Sequence, residues 1–122
     1  MNTHEREAER LYDSKIRSEQ TDLLMQAMLT LKDEEEAYRF FEDLCTIAEI
    51  KSLAQRLTVA CRLREGVRYQ DIARETGAST ATISRVNRAK SYGADGYDLV
   101  LERLAESGRL PTLPHPDSEQ KD

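Results

Sequence analysis

Apolar residues recur along this chain at intervals of three and four, and polar residues fill the positions between them. Leu23, Leu24, Ala27, Met28 and Leu31 follow one another at helical spacing. Lys32-Asp33 interrupts them. Asp33 reads as an N-cap, with Glu36 three residues on as its capping-box partner. The helix it opens carries Ala37, Phe40, Phe41 and Leu44. Thr46 and Glu49 repeat the box spacing and open a long amphipathic run, Ile47 to Arg64, with Ile50, Leu53, Leu57, Ala60, Cys61 and Leu63 apolar. Gly66 is placed to end that run. Two short helices are expected next, over Tyr69 to Thr76 and from Thr80 to about Ser91. SYGAD (91–95) reads as a turn. A last helix carries Leu99, Val100, Leu101 and Leu104 and closes at Gly108. Val59, Val67 and Val86 fall inside helical periodicity or at a turn, so no strand is predicted. The fold class is all-α.

The stretch YQDIARETGASTATISRVNR (69–88) has its own internal geometry. Ile72 and Ala73 share one side of the first short helix, and a small residue suits Ala73 because the next helix crosses close to it. Gly77 follows where the chain must turn sharply, which predicts a positive φ. Ile83 and Val86 then form an apolar stripe on the second helix. Two helices crossing through a tight glycine turn make a helix-turn-helix, and a plain helical hairpin is the alternative. With Ile83 and Val86 inward, Thr80, Ala81, Ser84, Arg85 and Arg88 face outward, on a surface with no acidic residue. Short hydroxyls near a helix start suit base edges, and arginines suit guanine edges or phosphates. Ser79 and Thr80 are also natural N-caps, and one of the two is expected to serve as the cap.

Charge sharpens this picture. The 122 residues carry a net charge of −5, which by itself argues against a polyanion partner. Its distribution argues the other way. Residues 51–92 hold nine Lys and Arg against three Asp and Glu, while residues 1–50 hold six against thirteen. A basic middle between acidic ends is what a nucleic-acid partner requires, although the basic segment could instead pair with acidic ones inside the fold.

The ends differ in kind from the middle. Residues 1–19 form a charged extension, either a frayed helix or disordered, without the apolar run of a signal peptide. Residues 20–108 are expected to be the helical domain. Residues 109–122 hold all three prolines and read as a disordered tail. No uninterrupted apolar stretch is long enough for a membrane span. Cys45 and Cys61 fit small buried thiols in a reducing, cytoplasmic setting better than a disulfide framework. The two histidines, His4 and His115, lie near the chain ends, and no Gly-rich phosphate loop or Cys/His cluster occurs. The residues therefore point away from an enzyme and from a metal site.

GASTATISR, preceded by the LREG helix end and the short QDIA helix, resembles the tryptophan-repressor superfamily. The segment YRFFEDLCTIAEIKSLAQRLTVACRLREG is similar to its YerC/YecD branch. The resemblance runs from about Leu23 to Leu104 and implies a six-helix chain that interlocks with a second copy as an intertwined homodimer. It implies that the two helix-turn-helix heads read half-sites of double-stranded DNA as a transcriptional regulator, with a repressor as the first expectation. A dimeric interaction scaffold without DNA binding, for which the acidic run 33–36 would suit a basic partner, is the alternative. The DNA-facing positions implied are Gln70, Ser79, Thr80, Ala81, Thr82, Ser84, Arg85, Arg88 and Lys90.

The family's tryptophan corepressor is framed by a threonine and two arginines, and the matching positions here are Thr46, Arg56 and Arg85. Thr46 has a capping role as well, Arg56 lies on an ordinary basic helix face, and Arg85 could equally face phosphate. Tryptophan-binding members carry glycine where this chain has Val86, and valine fills the space the indole would need. No cofactor is therefore expected, and a different small effector, or none, takes the place of tryptophan.

Overall fold

The computed structural model describes residues 12–110. The expectations for residues 1–11 and 111–122 lie outside that range. Six helices occur among the described residues and no strand: α1 (Glu19–Leu29), α2 (Glu34–Leu44), α3 (Ile47–Arg64), α4 (Tyr69–Thr76), α5 (Thr80–Tyr92) and α6 (Gly96–Glu106). The chain divides into two compact units, one ending at Leu44 and one beginning at Cys45.

In the first unit, residues 12–18 are not helical. Ser18 starts α1 through a capping box with Thr21. Its hydroxyl accepts the Thr21 N–H at 3.1 Å, and the Thr21 hydroxyl accepts the Ser18 N–H at 2.7 Å. Asp33 caps α2 as expected, accepting the Glu36 N–H at 2.9 Å. The returning bond differs from a standard box, because the Glu36 carboxylate takes the N–H of Lys32, at 3.0 Å, one residue before the cap. Phe40 and Phe41 meet edge to face at 5.8 Å. Neither α1 nor α2 fully buries any residue.

The second unit holds the core. Thr46 and Glu49 form the expected reciprocal box at the start of α3, with bonds of 2.9 and 3.1 Å. Bonds from the Thr46 N–H and hydroxyl hold the Glu49 carboxyl below the ordinary carboxylate range. The far end of α3 closes as a Schellman turn. Gly66 sits at φ 78°, its N–H donates to Leu63, and the Val67 N–H donates to Arg62. The core comprises Val59, Ala60, Cys61, Val67, Ile72, Ala78, Ile83, Val86 and Leu101. Burial pushes the Cys61 thiol upward, so it stays protonated and unreactive.

Two differences from expectation follow from packing. The apolar stripe of α3 is buried only toward its C-terminal end, while Ile47, Leu53 and Leu57 remain exposed, as do Leu99 and Val100 on α6. At the C-terminal boundary, order extends past Gly108. The Arg109 N–H donates to Leu104, and Leu110 packs against the core. No helix among the described residues is long and apolar enough to cross a membrane.

Candidate nucleic-acid interface

Helix α4 ends because Gly77 adopts φ 74°, where its N–H still reaches the Ala73 carbonyl at 2.9 Å. That left-handed conformation is strained for a residue with a Cβ. The chain re-enters a helix two residues later at Ser79, whose hydroxyl accepts the Thr82 N–H at 3.1 Å. Ser79 is therefore the cap. Thr80, the first helical residue, has a hydroxyl with no intramolecular partner among the described residues.

The buried side of α5 contains Ile83, fully buried, and Val86, 2% exposed. At about 100° per residue the opposite side presents Thr80, Ala81, Ser84, Arg85 and Arg88, and all five are exposed. Arg85 and Arg88 form no ion pair among the described residues, and α5 contains no acid. Gln70 is exposed on α4, while Thr82 is half-buried and accepts a hydrogen bond from the Ser79 hydroxyl at 3.1 Å.

Lys90 departs from the expected outward set. It lies four residues beyond Val86, on the inner side of α5. It is half-buried, and its Nζ pairs with Asp98 Oδ1 of α6 at 3.0 Å. Its charge links two helices of the unit and is not offered to the surface.

Helix α3 anchors this head through two side chains that sequence reasoning did not single out. Gln55 Nε2 donates to the Thr76 carbonyl at 3.1 Å, satisfying an end group of α4 beside the turn. Arg62 is fully buried. Its Nε and Nη2 grip Glu75 at 2.7 and 2.8 Å, and its Nη1 reaches Glu65 at 2.7 Å. Hydrogen bonding to Glu75 holds the guanidinium charged even more firmly than usual. The available signal was a charge three residues after Val59 on an apolar face, which demands a carboxylate.

Of the three residues considered for an effector, Thr46 and Arg56 are ten positions apart on α3 and its cap, about 15 Å along the axis. The Thr46 hydroxyl already accepts the Glu49 N–H. Arg56 and Arg85 are exposed, and Val86, beside Arg85, is packed into the core. Among the described residues no group of His, Cys, Asp and Glu could hold a metal ion.

A capped second helix, reached through a glycine turn and exposing an acid-free face, is the arrangement expected of a helix-turn-helix. Comparison with known proteins agrees. The sequence profile of the family described as Trp repressor protein matches residues 19–105. The chain is 59% identical over 93 residues to the uncharacterised protein YerC of Bacillus subtilis (strain 168), covering 76% of this chain and 89% of that one. The crystal structure of a TrpR-like protein from Eubacterium eligens ATCC 27750 superposes with a TM-score of 0.72 at 60% identity, covering 76% of this chain and 96% of that one. A crystal structure from Staphylococcus aureus gives 0.71 at 50% identity, covering 75% and 91%. The chain belongs to the Trp repressor family, whose members are DNA-binding transcription regulators and not enzymes.

Proposed function

We propose that this chain is a homodimeric, sequence-specific repressor that reads two DNA half-sites with α5. The observation that carries this reading is the outer face of α5. Its arginines are unpaired among the described residues and no acid lies beside them, in a chain whose net charge is negative. Unneutralised guanidiniums on a rigid helix are suited to phosphate oxygens and guanine edges. Thr80, Ala81 and Ser84 contact base edges, Arg85 and Arg88 contact bases or backbone, and Gln70, Ser79 and Thr82 line the approach. Dimerisation is supported by α1 and α2, which fully bury nothing, and by the exposed leucines and isoleucine of α1, α3 and α6. Such apolar faces gain stability when a second copy covers them.

Gel retardation with sheared genomic DNA tests this reading. A retarded complex is expected at 50 mM salt, weakening steeply toward 200 mM as counterions are released. Absence of any complex at low salt would sink the proposal.

The head works without tryptophan. Val86 occupies core space, and Gln55 and Arg62 already fix α4 and its turn to α3. Because the chain has no tryptophan of its own, indole emission reports only on added ligand. Its polarisation is expected to stay flat when L-tryptophan meets micromolar protein. A rise would show that the site opens despite Val86.

A further inference from the structure

Helix α4 and its N-cap residue carry two arginines, Arg74 and Arg68, outside the face described above, and both are held by one buried carboxylate. Asp71 is only 5% exposed. Its Oδ2 accepts from Arg68 Nε at 3.2 Å and its Oδ1 from Arg74 Nη2 at 2.8 Å. The two arginine side chains are 67% and 64% exposed. Three features separate this cluster from an ordinary surface ion pair. One carboxylate faces two guanidiniums, so the group keeps a net positive charge. Each arginine donates one hydrogen bond to Asp71, and its other N–H groups are open to a further acceptor. The remaining acid of α4, Glu75, is committed to Arg62 and does not compete for them.

We propose that Arg68 and Arg74 form a preset anchor for a backbone phosphate of the bound DNA, with Asp71 as the positioning residue. This rests on the DNA-binding reading and adds a backbone contact from α4 to the contacts from α5. A phosphodiester oxygen pair accepts from two guanidinium forks at once. The entropy of ordering two long side chains is already lost in the free protein, because Asp71 holds them. In a helix-turn-helix the helix before the reading helix crosses the DNA backbone, which suits a sequence-independent contact there.

The Asp71→Asn variant gives opposite outcomes for the proposal and for bare charge. It removes one negative charge close to a polyanion, so simple electrostatics demands tighter binding. Loss of a positioning carboxylate instead demands weaker binding, by at least about fivefold. Binding to the wild-type site and to scrambled DNA should weaken alike, since a phosphate contact carries no sequence information. Arg68→Ala and Arg74→Ala should each lower the slope of log affinity against log salt by about one. On the double-alanine background, Asp71→Asn should have no further weakening effect. Should Asp71→Asn fail to fold by circular dichroism, the double variant Arg68→Lys, Arg74→Lys replaces it. That variant keeps the charge but loses the forks, and is expected to bind more weakly with the salt slope retained. Unchanged or tighter binding by the folded variant overturns the anchor while leaving the α5 assignment intact. No binding by the wild-type protein overturns both.

Discussion

The Thr80→Asp protein is expected to fold as the wild type does and to lose the distinction between its DNA site and random sequence. Thr80 is the first residue of α5, and its hydroxyl has no intramolecular partner among the described residues, so the substitution breaks no side-chain hydrogen bond. An aspartate in the first turn stabilises a helix by a few tenths of a kcal/mol through the helix dipole. The cap itself belongs to Ser79 and survives. Against DNA the same carboxylate faces base acceptors and nearby phosphates. Like charge there costs on the order of 3 kcal/mol, a loss of roughly a hundredfold or more. Fluorescence anisotropy on a selected site and on scrambled DNA measures this directly, with circular dichroism and sedimentation reporting fold and assembly. Wild-type affinity in the variant would remove Thr80 and the start of α5 from the interface.

Glu75→Ala has its largest effect on stability. Arg62 is fully buried, and truncating Glu75 removes its hydrogen bonds of 2.7 and 2.8 Å to that carboxylate. Removing one partner of a fully buried pair costs about 3–5 kcal/mol. The Glu75 side chain is 27% exposed, so solvent screens part of the interaction and roughly 2–3 kcal/mol is the better figure. Thermal unfolding should shift downward by about 10–20 °C. Combining Arg62→Met with Glu75→Gln should recover much of that loss, because no buried charge is left to satisfy. If the single variant melts with the wild type, the pair contributes nothing to stability despite its geometry.

The parts of the fold that are legible in the sequence are those decided locally. The start of α3, the end of α4 and the start of α5 follow from caps at Thr46, Gly77 and Ser79, each acting on residues three or four positions away. The end of α5 is less legible. Ser91 and Tyr92 remain helical, and the turn comes later, at Gly93, where any side chain would run into the Ala89 carbonyl, and at Asp95 with φ 65°. The outward face of α5 is legible because Ile83 and Val86 determine the inward one. The pairing of Lys90 with Asp98 is not legible in the sequence, because it depends on how α6 packs on α5. Arg62 and Glu75 are thirteen positions apart, and only the packing of α3 on α4 selects that pair from the many charges nearby.

The placement of the core has a consequence for how this protein can change. Among the described residues, all nine buried apolar residues lie between Val59 and Leu101, so the helix-turn-helix and its supports are packed within one stretch of one chain. Helices α1 and α2 contribute none of them. On the proposed reading, substitutions on the outer face of α5 would alter the DNA sequence preferred without touching the core. On the same reading, substitutions at the exposed apolar positions of α1 would alter how two copies join. On the proposed reading, the choice of DNA sequence and the joining of two copies rest on different stretches of the chain, and each can drift among related regulators under its own selection.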